Sequence, residues 1–228
     1  MGCREPMIGA EIRGQVFRDT TGYYLNAQAG GEAAPSLVAF ARQNIGKEVL
    51  DYGCATGSYG LALQREGFTA SGADINPEYV ASANERGLTT YLCEPGLPLE
   101  DNSVDSVLLF EVLEHAHNPG ELLAEAARVA RTNVLVTVPN CATLAPMQAG
   151  GVIYEHFSDL DHRQFFTADT LAKTMQPFFS EVVVTPGDAV DALCLLERNA
   201  ASVIPRAMRK LGLLKSRYFR RLFAQGTL

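Results

Sequence analysis

Short apolar runs alternate with segments of helical periodicity between residues 35 and 198. Leu37, Val38 and Ala41 share one helical face, whereas residues 107–110 form an unbroken apolar run of the kind found in a strand buried on both faces. This alternation predicts parallel strands joined by helical crossovers. We predict strands at 48–52, 69–73, 88–93, 104–110 and 133–138, and helices at 35–45, 58–66, 77–86, 119–131 and 167–175.

Two more strands are predicted at 181–185 and 190–198, separated by Pro186-Gly187-Asp188. A short turn at that point forces the two strands to run antiparallel. We therefore predict an α/β fold: a Rossmann-like, doubly wound, seven-stranded and mostly parallel sheet whose last strand is antiparallel.

The segments outside this domain differ from it in character. Residues 1–34 are polar and rich in glycine, and we interpret them as a leader or a lid over a site. Residues 199–228 predict a basic amphipathic helix, because a helical wheel from Ile204 places apolar side chains on one side and basic ones on the other. Such a helix can lie on an anionic membrane or pack on the acidic domain or on a second copy of the chain. The sequence leaves these three options open.

The composition, net charge and cysteine spacing of the chain limit the functions it can have. The chain has 228 residues, of which 47% are hydrophobic and 20% charged, as in an ordinary globular protein. Its net charge is −7, and all 26 acidic residues precede seven basic ones in the tail, which argues against a nucleic-acid partner. The five cysteines form no CxxC pair, which favours reduced thiols and a cytoplasmic location.

The most informative segment is Asp51-Tyr52-Gly53-Cys54-Ala55-Thr56-Gly57, a glycine-bearing turn between a predicted strand and a predicted helix. Ligands of doubly wound sheets bind where such turns leave the strands. A dinucleotide fingerprint requires G-x-G-x-x-G, but Ala55 and Ser58 stand at its second and third glycine positions. The Gly-Lys-Ser/Thr ending of a phosphate-binding loop is also missing. Asp51 would repel a phosphate and suits an amine-bearing ligand.

A second acid follows the next predicted strand. Asp74, within Gly72-Ala73-Asp74-Ile75-Asn76, is placed to accept hydrogen bonds from both hydroxyls of a ribose. Together, Asp51 and Asp74 indicate a nucleoside that carries a charged amine and no pyrophosphate.

At this point the sequence resembles the class I S-adenosylmethionine-dependent methyltransferases, in particular their small-molecule branch. The resemblance covers residues 35–198 and keeps the order of four segments. Residues 49–57 are similar to the first motif, with Ala55 where a glycine is usual, and Asp74 matches the ribose-binding acid. Residues 101–115, which end in Glu-Val-Leu-Glu-His, and residues 134–140 are similar to the fourth-strand and fifth-strand segments.

The resemblance implies which residues hold S-adenosylmethionine. It places Asp51, Gly53 and Gly57 beside the methionine part of the cofactor, Asp74 on the ribose and Ile75 against the adenine.

Three further residues are implied at the same site. Cys93 stands at the usual position of an acid near the adenine, so Glu94 is the acid expected there. Phe110 and Glu111, at the end of the predicted fourth strand, are expected beside the sulfonium.

The implied reaction is methyl transfer to a small-molecule acceptor of sugar-like or lipid-like character, at oxygen. A hydroxyl acceptor is helped by a base near neutral pKa, and histidine is the natural candidate. His115, His162 and His156 follow the fourth and fifth predicted strands, whose ends face one cleft, so they are the candidate catalytic residues. The alternative is that they pack or order loops. The spacing of His156, Asp159, Asp161 and His162 fits no standard ligand pattern, so no metal site is predicted.

Two other function classes stay open. Ala55 and Cys93 at altered motif positions are compatible with a non-catalytic module that binds the cofactor. An NAD-dependent oxidoreductase is disfavoured by the missing glycines.

Overall fold

The computed structural model describes residues 32–93, 96–143, 162–190, 203–204, 207–208, 211, 213 and 218–228. Its helices are α1 (Pro35–Asn44), α2 (Ser58–Arg65), α3 (Pro77–Glu85), α4 (Pro119–Val129) and α5 (Ala168–Met175). Its strands are β1 (Glu48–Tyr52), β2 (Thr69–Asp74), β3 (Thr90–Leu92), β4 (Val104–Phe110), β5 (Ala130–Pro139), β6 (Glu181–Val190) and β7 (Tyr218–Thr227). Single 3₁₀ turns lie at Leu113–His115 and Cys141–Thr143.

The strands form one seven-stranded sheet in the order β3-β2-β1-β4-β5-β7-β6. The first five strands pair in parallel, and β7 runs antiparallel to both β5 and β6. The predicted doubly wound, mostly parallel sheet is therefore confirmed. The strand order reverses between β1 and β4, and in such sheets ligands bind beside that switch point.

Local sequence signals explain where the helices begin. The side chain of Asn76 accepts hydrogen bonds from the backbone N–H groups of Glu78 and Tyr79, and Asn118 accepts one from Gly120. Each asparagine precedes a proline at the first helical position, where the missing N–H is not needed. The side chain of Thr167 likewise accepts a hydrogen bond from a backbone N–H group, that of Thr170, and so caps α5.

Apolar side chains cover both faces of the sheet. Alternate residues of β4 point in opposite directions, Val107 and Leu109 toward one core and Leu108 and Phe110 toward the other. Helices α4 and α5 cover the first core, and α1, α2 and α3 cover the second. Burying a leucine completely contributes about 2 kcal/mol, so these two cores fix the sheet between the helical layers. No helix in the described part of the chain is long and apolar enough to cross a bilayer.

The prediction of a basic helix over residues 199–228 is wrong for its last third. Among the described residues, 203–204 and 207–208 are helical, but Tyr218–Thr227 forms strand β7 in the sheet. The apolar spacing there also satisfies a period of two: Leu222 and Ala224 enter one core, and Phe223 packs on the other. Strand geometry prevails because β7 pairs along both edges, with β5 and with β6.

The predicted turn at Pro186-Gly187-Asp188 is also wrong, because β6 runs through it. Since β6 is an edge strand, a proline there is tolerated. A Cβ atom on Gly187 would stand 2.3 Å from the Phe223 ring, so glycine is required where β7 packs closely. Residues 191–198 and the first 31 residues of the predicted leader lie outside the described residues.

Candidate active site

A cleft with a volume of about 520 Å³ opens at the carboxyl ends of β1, β2 and β4. Sites for small molecules typically measure about 300–1,000 Å³. Its lining combines the turn after β1, the turn after β2 and the segment after β4. Among the residues that line it are Gly53, Ala55, Tyr59, Asp74, Ile75, Phe110, Glu111 and His115.

The turn after β1 is built from left-handed backbone. Gly53 and Gly57 have φ angles of 86° and 83°, and Ala55, between them, has a φ of 44°. The N–H groups of Gly53 and Cys54 both donate to the Ala73 carbonyl at the end of β2, at 2.7 and 3.0 Å. These bonds hold the turn against β2. Gly53 lines the cleft, whereas Gly57 caps α2 behind it.

Asp74 is held at the cleft by backbone donors. Its Oδ2 accepts from the N–H of Ala55 at 2.8 Å, and its Oδ1 accepts from the N–H of Asn76 at 2.9 Å. Burial raises the pKa of Asp74, and these hydrogen bonds oppose the rise. Each carboxylate oxygen can accept a second bond, so the group is oriented but not saturated. Ile75, beside it, exposes 76% of its side chain along the same wall.

Asp51 lies beneath the turn and outside the cleft lining. It is only 2% exposed, and its Oδ2 accepts no hydrogen bond from the described residues. Burial raises the pKa of its carboxyl to about 7; a backbone hydrogen bond from Gly60 lowers it, and the charge of Asp74 adds to the rise. An ionised Asp51 therefore favours positive charge nearby and disfavours phosphate.

Phe110 and Glu111 form the middle of the cleft. The Phe110 ring meets the Tyr59 ring edge-on, with centroids 5.4 Å apart. Glu111 has a φ of 56°, and its N–H donates to the Thr137 carbonyl at 2.9 Å. This conformation turns the chain out of β4 and directs Glu111 toward the cleft and β7.

A partly buried ion network lies behind Glu111. Arg221 on β7 lies 3.2 Å from the Glu111 carboxylate, and it donates to Asp188 on β6 at 2.6 Å. Ser36 at the start of α1 also donates to Asp188, at 3.2 Å. Burial lowers the pKa of Arg221, but the two carboxylates outweigh this and raise it. The sequence reasoning missed Arg221 because it placed this residue on the polar face of a helix.

The structure brings two candidate histidines together. The rings of His115 and His162 meet edge-on with their centroids 4.7 Å apart. His115 lines the cleft, and the neighbouring residue Glu114 is buried, with 1% exposure. Sequence reasoning missed Glu114 as a site residue, although it belongs to the Glu-Val-Leu-Glu-His segment that resembles the family's fourth-strand segment. His156 and Glu94 lie outside the described residues.

These features define a class: a Rossmann-like α/β protein with a nucleoside-sized cleft whose first turn lacks the signatures of phosphate binding. The family model described as a methyltransferase domain matches residues 25–178. The chain belongs to this methyltransferase family, which confirms the predicted recognition of a class I S-adenosylmethionine-dependent methyltransferase.

Curated relatives match over shorter segments. A demethylmenaquinone methyltransferase from Tropheryma whipplei (strain Twist) is 35% identical over 37% of this chain and 37% of its own length. A ubiquinone biosynthesis O-methyltransferase from Photobacterium profundum is 30% identical over 39% of this chain and 41% of its own. The chain thus spans about two fifths of the length of these relatives.

Solved structures share the fold at lower identity. A SAM-dependent methyltransferase from Archaeoglobus fulgidus superimposes with a TM-score of 0.60 and 19% identity, covering 85% of this chain and 93% of that one. Magnesium protoporphyrin IX methyltransferase from Synechocystis, with bound SAH, gives a TM-score of 0.56 and 15% identity, over 84% and 80% of the two chains.

Proposed function

We propose that this protein transfers a methyl group from S-adenosylmethionine to an oxygen atom of a small, sugar-like or lipid-like acceptor. The observation that carries the proposal is the cleft itself: the oriented Asp74 carboxylate lies on one wall, and His115 lies on the same cleft beyond Glu111. We call residues 51–57 and 74–76 the cofactor side, and Glu111, Glu114, His115 and His162 the acceptor side.

The cofactor side fits an adenosyl group with an amine-bearing tail. The open lone pairs of Asp74 can accept the two ribose hydroxyls, and Ile75 offers an exposed apolar surface to the adenine. Gly53 presents left-handed main chain to the cleft, a conformation that glycine adopts without steric cost. A cationic amine or sulfonium close to Asp51 would favour the ionised form of this acid, whose Oδ2 accepts no hydrogen bond from the described residues.

When bound, S-adenosylmethionine supplies a methyl group on a sulfonium, which an acceptor oxygen takes while the carbon–sulfur electron pair returns to sulfur. The task of the protein is alignment and exclusion of water. Phe110 and Tyr59 supply an apolar wall at the centre of the cleft. His115, which lines the cleft, and His162, whose ring contacts it, are the residues that we propose to activate an acceptor hydroxyl.

The names of the relatives support an oxygen acceptor of lipid-like character. The Tropheryma protein is a demethylmenaquinone methyltransferase, and the Photobacterium protein is an O-methyltransferase of ubiquinone biosynthesis. An amphiphilic acceptor is compatible with peripheral membrane contact through the C-terminal segment, where Ile204, Leu211 and Leu213 expose 69%, 73% and 68% of their surface. Membrane contact and a homodimer both stay predictions.

Isothermal titration calorimetry with S-adenosylhomocysteine and with NAD tests the proposal. We expect the first ligand to bind and NAD to give no heat; the reverse result would overturn the proposal in favour of an oxidoreductase. Binding of S-adenosylhomocysteine without turnover of any hydroxylated quinone, sugar or lipid would favour the non-catalytic module.

Two variants locate the binding site. Asp74→Asn should weaken S-adenosylhomocysteine binding by about 5- to 150-fold, because a charge-assisted hydrogen bond to a hydroxyl is worth about 1–3 kcal/mol. Asp105→Asn is the matched control, since Asp105 also accepts a backbone N–H, from Glu48 at 2.9 Å, at the far end of the sheet. An unchanged dissociation constant in Asp74→Asn would mean that the ribose lies elsewhere.

A further inference from the structure

Three side chains of the acceptor side converge on one point. Glu114, His115 and His162 each offer one ligand atom, and these three atoms lie within 4.8 Å of one another. Two of the residues belong to the 3₁₀ turn after β4, and the third comes from a segment far along the chain. This convergence is a tertiary feature, which explains why the spacing of the histidines in the sequence predicted no metal site.

Backbone hydrogen bonds fix the two segments together. The N–H groups of Arg163 and Gln164 both donate to the carbonyl of Glu114, at 2.7 and 2.9 Å. The side chain of Gln164 donates to the carbonyl of Ala116 at 3.2 Å. These three bonds hold His162 against His115. Ligands held in place before a cation arrives are what a preorganised binding site requires.

We propose that Glu114, His115 and His162 bind a divalent first-row transition-metal ion. Two imidazoles and one carboxylate are a donor set that Zn²⁺, Mn²⁺ and Fe²⁺ accept, whereas Mg²⁺ and Ca²⁺ prefer oxygen ligands alone. Three protein ligands leave coordination positions open. Because His115 lines the cleft, the proposed metal site lies beside the space that the acceptor would occupy.

This site deepens the proposed function and rests on it for its chemical role. A cation there would bind the acceptor hydroxyl and lower its pKa, so that the O–H proton leaves to water and the electron pair stays on oxygen. His115 and His162 would then act as metal ligands and not as general bases.

Metal binding can be measured without turnover. Untagged full-length protein, stripped with a chelator and dialysed, is titrated with Zn²⁺ and separately with Mg²⁺ by calorimetry. We expect one equivalent of Zn²⁺ to bind and Mg²⁺ to bind at least 10-fold more weakly. No Zn²⁺ binding, or tighter binding of Mg²⁺, would overturn the proposal.

Variants assign the ligands. His162→Ala should weaken Zn²⁺ binding by 10- to 100-fold or more. His117→Ala is the matched control, because His117 is exposed and stands two residues from His115 but outside the cluster. Equal Zn²⁺ affinity in the wild type and His162→Ala would also overturn the proposal. Because Glu114 is buried, the fold of Glu114→Gln is first checked by circular dichroism. If Glu114→Gln is misfolded, the conclusion depends on His162→Ala alone.

The metal site and the proposed function fail separately. S-adenosylhomocysteine binding by protein that binds no Zn²⁺ would overturn the metal site alone. Zn²⁺ binding that depends on His162, in protein that does not bind S-adenosylhomocysteine, would support the metal site and overturn the methyltransferase role.

Discussion

The two sides of the cleft are assembled from different kinds of chain. The two segments of the cofactor side, residues 51–57 and 74–76, are close in the sequence, and the turn after β1 is bonded directly to the end of β2. The acceptor side joins the 3₁₀ turn after β4 to His162, and its Glu111 depends on Arg221 from β7. The cofactor side is fixed by backbone hydrogen bonds between neighbouring strands, whereas the acceptor side combines backbone hydrogen bonds to Glu114 with the ion pairs of Arg221. Substitutions should therefore affect the two sides through different forces.

The largest effect is expected behind the acceptor side. Arg221→Met removes the cation that pairs with Glu111 and Asp188 and leaves two partly buried carboxylates without this partner. Removing one partner of a buried ion pair costs about 3–5 kcal/mol. We therefore expect Arg221→Met to lose about 4 kcal/mol in the free energy of unfolding, measured by urea denaturation.

Arg131→Met is the control for that variant. Arg131 also pairs with two carboxylates, Glu48 and Asp105, but at the surface, where such pairs contribute about 1 kcal/mol or less. Equal losses in the two variants would mean that the Arg221 network stabilises the fold no more than a surface ion pair does. The contrast between the two sides of the cleft would then weaken.

On the cofactor side the sensitive element is the main chain. Gly53→Ala places a Cβ atom 2.5 Å from Val112 at a φ of 86°. Left-handed backbone costs a non-glycine residue about 1–2 kcal/mol, and overpacking adds about 1–3 kcal/mol, so we expect a loss of about 3 kcal/mol.

Gly67→Ala separates the two contributions to that loss. Gly67 has a φ of 91° but nothing within 4 Å of its Cβ position, so this variant should lose only the backbone contribution, about 1 kcal/mol. Urea denaturation of both variants gives the comparison. If Gly53→Ala is as stable as Gly67→Ala, the turn after β1 can move away from Val112, and its rigidity is overstated.

The same contrast explains what the sequence could predict. The strand, turn and acid of the cofactor side lie within one stretch of about 25 residues, so spacing alone brought Asp51 and Asp74 into one site. The sheet and the two asparagine helix caps were predictable for the same reason, because each signal is local.

The acceptor side could not be predicted in this way. Around Tyr218 and Leu222 the apolar spacing fits both a helix and a strand, and only pairing with β5 and β6 decides between them. Arg221 and Glu111 meet only once β7 is in the sheet. His162 reaches Glu114 through backbone hydrogen bonds between segments that no sequence period connects.

A smaller effect is expected from charge beneath the cofactor side. The pKa of Asp51, raised by burial to about 7 from an ordinary 3.8, means that the folded state holds its proton more tightly than the unfolded state. Stability is therefore lost as pH rises toward and through 7. Between pH 5 and pH 8 the free energy of unfolding of the wild type should fall by about 2–3 kcal/mol relative to that of Asp51→Asn, which lacks the titrating group.

Urea denaturation of both proteins across that range measures the difference. Glu85→Gln is the control, because Glu85 is an exposed carboxyl on α3 and its removal should leave the pH profile unchanged. A wild type and an Asp51→Asn variant with parallel pH profiles would contradict the assigned ionisation of Asp51.

The smallest effect concerns the one turn position where this chain departs from the family pattern. Ala55 has a φ of 44°, and the N–H it presents to Asp74 depends on that conformation. Ala55→Gly relieves backbone strain of about 1 kcal/mol but adds freedom to the unfolded chain, which offsets part of the gain. We expect a stabilisation of about 0.5 kcal/mol by urea denaturation and unchanged S-adenosylhomocysteine affinity.

Asn102→Gly, at a φ of 55° away from the cleft, should gain nothing, because asparagine tolerates this backbone region. A loss of stability in Ala55→Gly would mean that the alanine methyl packs usefully in the turn, and that side-chain contacts matter on the cofactor side as well.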